Sequence, residues 1–338
     1  MPQSCELGPS SRYRVYQLVP LLEQMGFACE VSPGIGKELY EQLYLRGGGS
    51  KLAALRAVWQ QRRQDLRRVN DFDAVFIQKG FFPGLHAGIE VAMAKRKPVI
   101  FDFDDAIWLP RQGGASLARA LHRETEVQQI LRIATAVIAG NEFLAEYARR
   151  FNPNVTVVPS AVDTSRYPRA AGSTTVGWIG SRTTLPYLAP LRPAFEALRV
   201  KPRVIASGDP GVLGFPVEFR QWSLETETAE LAQLGIGIAP LPDNAWECGK
   251  CGVKILQYMA CSLPVVASPV GANAEIVRDG VTGFLARDAT EWIEKLRQLT
   301  NDAGLRETMG RAGRELVEQR YSVQAAAEQV ATVLRQVL

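Results

Sequence analysis

The sequence predicts an α/β fold of two domains, each built around a mostly parallel sheet. Short apolar runs alternate with segments of helical periodicity along the chain, which is typical of doubly wound sheets. A stretch with proline and glycine, YPRAAGS at 167–173, separates two such series. A length of 338 residues also favours two domains. We therefore expect domains at 1–168 and 169–322, followed by a final helix at 323–338.

The first half supplies alternating strand and helix candidates. Strands are predicted at Ala28–Ser32, Ala74–Gln78, Val99–Phe103, Ala136–Ala139 and Val155–Val158. Helices fit at 12–25, 52–68, 85–95, 116–133 and 141–151.

The second half repeats the pattern. Strands are predicted at Thr175–Ile179, Arg203–Ala206, Val217–Trp222, Ile236–Pro240 and Pro264–Ser268, with Val217–Trp222 as an edge strand. Helices are predicted within 184–198 and at 227–234, 253–261, 290–300, 304–319 and 323–338.

The stretch 235–285 carries the strongest functional signal. It reads as strand, polar loop, helix and strand, which puts the loop at the carboxyl end of a strand, where open α/β sheets bind ligands. Lys250, Lys254 and Gln257 follow a helical spacing, so we expect them to share the face that looks into the crevice. Two ammonium groups beside a helix N-terminus are suited to binding phosphate.

A second phosphate-binding candidate follows the strand predicted at Thr175–Ile179. Gly180 allows close backbone approach, Ser181 opens a predicted helix with free N–H groups, and Arg182 can bind a diphosphate in a bidentate manner. The alternative is an ordinary strand-to-helix turn with a Ser or Thr cap.

The segment 257–268, QYMACSLPVVAS, resembles the donor-binding segment of retaining glycosyltransferase family 4, the glycosyl transferases group 1, whose pattern is E-A-M-A-x-G-x-P-V-V-A-S. VG at 270–271, EIV at 275–277 and DG at 279–280 extend the similarity. The resemblance implies two Rossmann-like domains of GT-B type that face each other across a cleft, with the last helix returning to the first domain. It implies transfer of a sugar from a nucleoside-diphosphate sugar to a hydroxyl group with retention, without a metal or other cofactor, in polysaccharide, lipopolysaccharide or glycolipid assembly.

The family pattern is altered around the diphosphate. The family places a Lys-Gly pair near the arginine that corresponds to Arg182, and this pair is missing. Arg182 therefore acts alone or with a lysine from elsewhere, and Lys250 and Lys254 are the candidates. These cations would stabilise the leaving nucleoside diphosphate.

The family's pair of glutamates is altered as well. The second glutamate, which meets the ribose, corresponds to Gln257. The first aligns near Lys250, or at Glu247 after a loop shift, and Glu247 either contacts the transferred sugar or is a surface acid. Gly271 and Asn273 lie where the family's loop brings backbone N–H groups to the sugar or phosphate, although Gly271 is also compatible with a simple turn.

By the same resemblance, the first domain carries the acceptor side. A family member begins with a hydrophobic central strand, but Met1–Pro9 contains no apolar run. Either the strand is a stub at Ser4–Leu7, or the sequence begins downstream of it. Ser11, Arg12 and Arg14 lie in the loop expected to touch the acceptor or a donor phosphate, and the alternative is a helix cap followed by solvated arginines.

Acidic residues end the strand predicted at Val99–Phe103. The pair Asp102 and Asp104 suits Mg²⁺ or Mn²⁺ on a diphosphate, but the donor half already carries cations, and we expect no metal. Asp104 or Asp105 is expected to bind or orient the acceptor, with capping of the strand-end loop as the alternative.

Bulk properties exclude several classes of protein. A net charge of +4 is too small to indicate a nucleic-acid partner. No run approaches the ~18 apolar residues of a membrane span, and a signal-peptide pattern is missing. The five cysteines are therefore expected to be free thiols in a cytoplasmic protein, and Cys248-x-x-Cys251 is not expected to bind a metal or act in redox chemistry.

The helix predicted at 52–68 is strongly basic. Its predicted apolar side comprises Leu52, Leu55, Trp59 and Leu66, and its cations are Lys51, Arg56, Arg62, Arg63, Arg67 and Arg68. The cations form either a solvated face or a peripheral contact with the anionic inner face of a membrane, where a lipid-linked acceptor would lie. The expected partners are thus a nucleotide-sugar donor and a saccharide or lipid-linked acceptor.

Two other functions remain open. The altered glutamates and the missing strand are compatible with a catalytically impaired nucleotide-sugar-binding protein. A nucleotide-sugar epimerase of the same two-domain fold would need acidic and histidine residues clustered around the sugar, and the motifs do not show such a cluster.

Overall fold

The computed structural model describes residues 1–46, 48–81, 87–109 and 124–338. The chain divides into two compact units. Unit 1 comprises Met1–Ser160, Asn244–Cys251 and Val323–Leu338, and unit 2 comprises Ala161–Asp243 and Gly252–Ser322. Each unit contains one parallel sheet with helices. The predicted α/β class is therefore confirmed.

The strands in chain order are β1 (Val75–Gln78), β2 (Val99–Phe103), β3 (Ala136–Ala139), β4 (Val155–Val157), β5 (Val176–Gly180), β6 (Arg203–Ala206), β7 (Glu218–Gln221), β8 (Ile236–Ala239), β9 (Val265–Ala267) and β10 (Gly283–Leu285). The described α-helices are α1 (Pro9–Ser11), α2 (Val19–Gln24), α3 (Lys37–Tyr40), α4 (Lys51–Arg68), α5 (Gly88–Ala94), α6 (Glu124–Ile133), α7 (Glu142–Arg149), α8 (Arg192–Leu198), α9 (Glu227–Ala232), α10 (Ala245–Cys248), α11 (Val253–Ala260), α12 (Ala272–Ile276), α13 (Ala289–Asn301), α14 (Ala303–Arg320) and α15 (Val323–Val337). Short π-helical segments lie at Arg12–Tyr16 and Glu41–Leu45, and 3₁₀ helices at Val69–Asp71, Thr164–Arg166, Arg182–Leu191 and Pro210–Leu213.

The sheet of unit 1 has the order β1-β2-β3-β4, and all pairs are parallel. β2 and β3 are buried along their whole length, as expected for strands covered on both faces. Of the predicted helices, 116–133 is described only from Glu124, because 110–123 lie outside the described residues.

The strand predicted at Ala28–Ser32 is not a strand in the structure. This segment and β1 line a cavity of about 550 Å³, together with Val330 and Leu334 of α15. The prediction was wrong because a strand needs a hydrogen-bonded neighbour, and the space beside this segment is a cavity rather than a strand.

A stub of the expected first strand does lie beside β1. The amino group of Met1 donates to the carbonyl of Phe76 at 2.6 Å, and the Gln78 amide donates to the carbonyl of Met1 at 3.2 Å, which is the pattern of a parallel ladder. On its other side, Ser4 forms a parallel bridge with Ile35. The stub is therefore built from Met1 to Ser4 and not from Ser4 to Leu7.

Helix α4 buries a different face from the one predicted. Of the predicted apolar side, Leu52, Leu55 and Trp59 are exposed and only Leu66 packs, partly buried, against the core, whereas Arg62 is fully buried. The guanidinium of Arg62 donates to the Asp65 carboxylate at 2.6 Å and to the carbonyls of Ser32 and Pro2, each at 2.9 Å. These bonds pair the two terminal nitrogens of a buried cation, so they decide which side of the helix faces the core.

Glu90 on α5 is a buried carboxyl group whose titration should affect stability. Its side chain accepts from the Phe81 amide at 2.9 Å, and burial raises the pKa of Glu90 from 4.5 to about 7. As pH rises from 4.5 towards 7, the unfolded chain loses this proton and the folded chain keeps it, so stability falls across this interval and is constant above it.

We therefore expect Glu90→Gln to raise the free energy of unfolding by about 3 kcal/mol near pH 8 and to change it little near pH 4. Urea unfolding at both pH values measures this. The matched control is Glu196→Gln, which changes a 60% exposed side chain. An equal effect of Glu90→Gln at both pH values would contradict the prediction.

The sheet of unit 2 has the order β10-β9-β8-β5-β6-β7 and is also parallel. β7 is an edge strand, as predicted, and β10 was not predicted. The helix expected within 184–198 begins as a 3₁₀ helix because it contains Pro186 and Pro190, and continues as α8.

The unit boundaries differ from 168 and 322 in two places. Residues 161–168 group with unit 2, where Arg314 of α14 donates to the carbonyls of Thr164 and Tyr167 at 3.1 and 3.0 Å. Asn244–Cys251 groups with unit 1, as does α15. No helix in the described residues is both long and apolar enough to cross a bilayer.

Candidate functional site

The strand order of unit 2 changes direction at β5. The chain passes from β5 to β6 and β7 on one side, and then returns to β8 on the other side of β5. In open α/β sheets the crevice at such a switch point, outside the carboxyl ends of the strands, is where ligands bind. The loop Gly180–Arg182 follows β5, and α11 follows β8 with the predicted phosphate ligand Lys254 in its first turn.

Lys254 lies against the loop that follows β5. Its ammonium group lies 4.2 Å from the centroid of the Trp178 ring, and Trp178 is fully buried. A Cβ atom at Gly180 would approach the Lys254 Nζ to 2.8 Å. Glycine at 180 therefore leaves the space that the ammonium group occupies, and the structure brings Gly180 and Lys254 together.

The loop after β5 is held by its own polar groups. The Ser181 hydroxyl lies 2.9 Å from that of Thr183, and the Arg182 amide donates to the Ser207 hydroxyl at 3.4 Å. The Arg182 side chain is exposed and packs over Gly208, where a Cβ would meet it at 2.7 Å. This glycine at the end of β6 thus makes room for the cation that was predicted to bind diphosphate.

Lys250 does not share a helix face with Lys254 and Gln257, contrary to the prediction. Helix α11 begins only at Val253, because Gly252 adopts a left-handed conformation with φ 65°. Lys250 belongs to unit 1, where its ammonium group donates to Asp105 at 2.7 Å.

Glu247 is buried, with 3% of its surface exposed, so the interpretation as a surface acid is wrong. It lies in α10, and Asn244 caps this helix by accepting from the Glu247 amide at 3.1 Å. The amide of Asn141 donates to the carbonyls of Cys248 and Lys250 at 3.3 and 3.1 Å. These bonds fasten the segment that carries Glu247 to the end of β3.

Gln257 lies in the middle of α11 and is also buried. Its amide donates to Glu227 of α9 at 3.0 Å and to the Tyr167 hydroxyl at 3.4 Å. Glu227 in turn accepts from the Trp222 indole at 2.6 Å. A carboxylate is thus present beside the position where the family has its second glutamate, and no motif in the sequence indicates this pairing.

Gly271 and Asn273 lie in the loop after β9. Gly271 has φ 51° and precedes α12, a backbone conformation that favours glycine. The Asn273 side chain is buried and donates to the carbonyl of Ala239 at 3.2 Å. This bond ties the loop to the end of β8, next to the crevice.

In unit 1, acids and bases meet at the carboxyl ends of β1 and β2. The Lys79 ammonium group lies 2.9 Å from Asp104 and also pairs with Asp105, which pairs in addition with Lys250. Burial disfavours the charge on Asp105, but Lys250 and Lys79 outweigh it and hold the pKa of Asp105 below its usual value. Burial likewise acts to lower the pKa of Lys79, and Asp104 and Asp105 raise it. Lys79 and Asp105 are therefore held in their charged forms by their partners.

Lys79 is a site residue that the sequence analysis missed. It is buried and has φ 66°, which is uncommon for a residue other than glycine and costs roughly 1 kcal/mol or more. The available signal was a lysine directly after an apolar strand, at the end of the sheet where ligands bind.

Ser11 does not cap a helix, which was the alternative to its predicted contact with the acceptor or a donor phosphate. Gly8 precedes α1, and the Ser11 hydroxyl donates to Gln78 at 3.2 Å and accepts from the Ser4 amide at 3.2 Å. It thus joins the Met1–Ser4 stub to β1. The neighbouring Ser10 hydroxyl donates to the Asp104 carboxylate at 2.5 Å.

Arg12 and Arg14 are not solvated, since each is 4% exposed. Arg14 Nε donates to Asp102 at 3.1 Å, and Asp102 is thereby bound by an arginine instead of being available with Asp104 for a metal. The Arg12 guanidinium lies over the Tyr13 ring at 4.8 Å. Among the described residues no cluster of three or more metal-ligating side chains is present.

All five cysteines are free thiols, as predicted. Cys251 is buried, and its thiol donates to the carbonyl of Asp104 at 3.4 Å. Burial raises the pKa of this thiol well above its usual value. Cys251 therefore joins the segment after α10 to the end of β2, and a raised pKa makes it a poor nucleophile.

Comparison with known proteins bears on what this arrangement does. Residues 212–302 match the family model of the glycosyl transferases group 1. The chain is 39% identical over 94 residues to the alpha-maltose-1-phosphate synthase of Mycobacterium tuberculosis, a match that covers 25% of the chain and 24% of that protein. It is 35% identical over 77 residues to the capsular polysaccharide biosynthesis glycosyltransferase CapM of Staphylococcus aureus, which covers 22% of the chain and 20% of that protein. The matches thus span about a quarter or less of these relatives' length.

Solved structures extend the similarity to the whole fold. A glycosyltransferase from Rickettsia africae has a TM-score of 0.69 at 14% identity, covering all of this chain and 97% of that one. Anabaena HepE in complex with UDP-glucose has a TM-score of 0.62 at 17% identity, covering 94% and 88%. These likenesses confirm the predicted GT-B type of fold. Residues 212–302 are thus similar to the group 1 glycosyltransferases, and the chain as a whole has the fold of the GT-B glycosyltransferases.

Proposed function

We propose that this protein transfers a sugar from a nucleoside-diphosphate sugar to a hydroxyl group with retention of configuration, and that it uses no metal or other cofactor. The observation that carries the proposal is the Lys254 ammonium group at the β5–β8 switch point, packed against Gly180 beside Arg182. The names of the relatives, which include a capsular polysaccharide glycosyltransferase, support polysaccharide, lipopolysaccharide or glycolipid assembly as the setting.

The donor diphosphate would lie against Lys254 and Arg182. Both cations are in unit 2, and the backbone N–H groups at the start of α11 and of the loop at Ser181 add favourable partial charge. Charge develops on the leaving diphosphate as the glycosidic bond breaks, so fixed cations at this place stabilise the transition state. HepE is described in complexes with UDP and UDP-glucose, which supports a nucleotide sugar as the donor.

The acceptor would be bound in unit 1. Asp104 and Asp105 are candidates to orient its hydroxyl groups, with Lys79 and Lys250 fixing the carboxylates. Ser11, Arg12 and Arg14 are buried and do not face solvent. They would therefore position this edge of the sheet through their contacts inside unit 1. Glu247, buried in the segment fastened to β3, is the candidate to contact the transferred sugar.

The proposed mechanism needs no strong side-chain base, because the departing diphosphate can take the acceptor's proton. Lys79 neutralises the acids at the acceptor edge, a task for which a metal would otherwise be a candidate. The two histidines, His86 and His122, lie outside the described residues.

A catalytically impaired nucleotide-sugar-binding protein is the second candidate. The observation that favours it is Gln257, which replaces the family's ribose-binding glutamate and whose amide is already bound to Glu227. An epimerase is a weaker candidate, since it needs an acid and histidine cluster around the sugar.

One experiment separates these functions. The full chain is screened for thermal stabilisation by UDP, GDP, ADP and TDP, and the sugar form of the best nucleotide is then incubated without an acceptor. Slow release of free sugar supports the transferase, an isomerised nucleotide sugar identifies an epimerase, and stabilisation without any turnover identifies the binding protein.

We place the protein in the cytoplasm, in peripheral contact with the inner face of the membrane, with a saccharide or lipid-linked acceptor and no nucleic-acid partner. The exposed apolar and basic residues of α4 support the membrane contact.

A further inference from the structure

A buried network of polar side chains in unit 2 surrounds the middle of α11. The amide nitrogen of Gln257 donates to one oxygen of Glu227 at 3.0 Å and to the Tyr167 hydroxyl at 3.4 Å. The other oxygen of Glu227 accepts from the Trp222 indole at 2.6 Å. Gln257, Glu227 and Tyr167 are each 4% exposed. A carboxylate at the start of α9 thus joins the indole that follows β7 to the amide on α11.

This network fixes which way round the Gln257 amide lies. An ionised carboxylate only accepts hydrogen bonds, so Glu227 requires an N–H group on the side of Gln257. A half-turn of the amide would bring its oxygen against a carboxylate oxygen in a buried place and forfeit a hydrogen bond. The amide nitrogen therefore stays on the side of Glu227, and the carbonyl oxygen is held on the other side.

The carbonyl oxygen of Gln257 reaches the surface. It accepts no hydrogen bond from the residues that the structure describes, and it is not among the fully buried polar atoms that lack a partner. Gln257 follows Lys254 by three residues on α11, so the two side chains share a face of this helix. Lys254 borders the switch-point crevice against Gly180. An oriented acceptor is therefore present about one helical turn beyond the ammonium group proposed to bind the diphosphate.

We propose that Glu227 positions Gln257 as a hydrogen-bond acceptor for a ribose hydroxyl, and that the sugar donor is therefore a ribonucleoside-diphosphate sugar. In a nucleoside diphosphate the ribose adjoins the diphosphate, as Gln257 adjoins Lys254 along α11. The ribose hydroxyl donates to the carbonyl oxygen, which is held in place because the amide nitrogen is bound to Glu227. Glu227 itself does not touch the nucleotide. It is a positioning residue that acts through Gln257.

This inference rests on the proposed function and narrows its nucleotide-sugar donor to one class. It applies to a transferase and to a nucleotide-sugar-binding protein alike, since both need the donor site. A network that only fastened α9 to α11 would affect stability and would not distinguish ribose from deoxyribose, so the two roles are separable by measurement.

The test is calorimetric titration of the full chain with UDP, GDP and ADP, each compared with its 2′-deoxy and 3′-deoxy forms. For a nucleotide that binds, at least one deoxy form should bind about tenfold more weakly, because it leaves the acceptor without its hydrogen bond. Gln257→Leu removes the acceptor, so this variant should bind the ribose and deoxy forms within about twofold of each other.

Glu227→Gln tests the positioning. The introduced amide can donate to the Gln257 carbonyl oxygen and draw it away from the nucleotide, so the preference for ribose should fall at least about threefold. Gln257→Glu combined with Glu227→Gln exchanges the two groups. The introduced glutamine can accept from Trp222 and donate to the introduced glutamate, whose second oxygen is then open to the ribose. This double variant should restore the preference to within about twofold of the unchanged protein.

The matched control is Glu230→Gln, which changes a carboxylate one turn further along α9. Glu230 is 21% exposed and lies 3.7 Å from Arg220, and its loss should leave the preference for ribose unchanged. Thermal unfolding of every variant shows whether the fold is kept. Equal binding of ribose and deoxy forms by the unchanged protein would overturn the inference alone. So would Glu227→Gln if it lowered Tm and left the preference unchanged. If UDP, GDP and ADP all fail to bind, the proposed donor site fails and this inference fails with it.

Discussion

Lys254→Ala is expected to lower kcat/KM for sugar transfer by about 10²–10³-fold, the usual cost of removing one fixed group that stabilises charge in the transition state. The ammonium group sits where Gly180 leaves space for it, over the buried ring of Trp178. Because Lys254 is half-buried in the first turn of α11, its removal should leave the fold intact. The measurements are initial rates with the nucleotide sugar found in the screen and the shift in Tm that its nucleoside diphosphate produces.

Lys295→Ala is the matched control. Lys295 belongs to the same unit and also places its ammonium group over an aromatic ring, 5.0 Å from the centroid of Phe284. It lies on α13, outside the two loops that form the switch-point crevice. Unchanged kinetics for Lys254→Ala, or an equal loss for both variants, would remove Lys254 from the donor site.

Adding a five-residue apolar segment ahead of Met1 is expected to raise the free energy of unfolding by about 3–6 kcal/mol, which corresponds to two or three newly buried aliphatic side chains. The cavity of about 550 Å³ is lined by β1 on one side and Ala28–Ser32 on the other. Met1 already occupies one position of a parallel ladder with β1. A segment such as Val-Ile-Val-Ile-Val would continue that ladder into the cavity.

The extension should also remove an electrostatic cost. Burial, and then the nearby Arg62, lower the pKa of the Met1 amino group to about 4, so a charged amine is disfavoured at this place. An added residue replaces the amine by an amide, which carries no charge and keeps the bond to Phe76.

The control extension is Gly-Ser-Gly-Ser-Gly, which replaces the amine in the same way but brings no apolar side chains. Urea unfolding should give the highest free energy of unfolding for the apolar extension, a lower one for the Gly-Ser extension, and the lowest for the unextended chain. If the two extensions stabilise the protein equally, the cavity is not filled by a strand.

Much of unit 2 could be predicted because its signals are local. β6 was predicted at its observed residues, and β5, β8 and β9 within one or two, since each is an apolar run bracketed by glycine or proline. β10 was missed because Gly283–Leu285 is too short to show a period and is defined by its pairing with β9.

The four strands of unit 1 were also predicted, each within one residue of its observed bounds. Other details of unit 1 were missed because residues distant in the sequence decide them. The rotation of α4 about its own axis depends on the carbonyls of Pro2 and Ser32, which bind Arg62. Hydrophobic periodicity within the helix does not reveal these distant partners. The segment Ala28–Ser32 has strand-like composition, but whether it forms a strand depends on a neighbour. The sequence spacing of Lys250 and Lys254 suggested one helix. The left-handed Gly252 makes the helix begin only at Val253, so Lys250 lies outside it.

The ion pairs at the carboxyl ends of β1 and β2 bear on what this edge can select. Lys79 and Lys250 offset Asp104 and Asp105, and Arg14 offsets Asp102, so this group of side chains sums to electrical neutrality. A neutral but strongly polar edge exerts little pull on ions at a distance, yet it offers oriented donors and acceptors at short range. Discrimination among acceptors there would follow the arrangement of hydroxyls around a sugar ring, and ionic strength would matter far more to the donor half of the reaction.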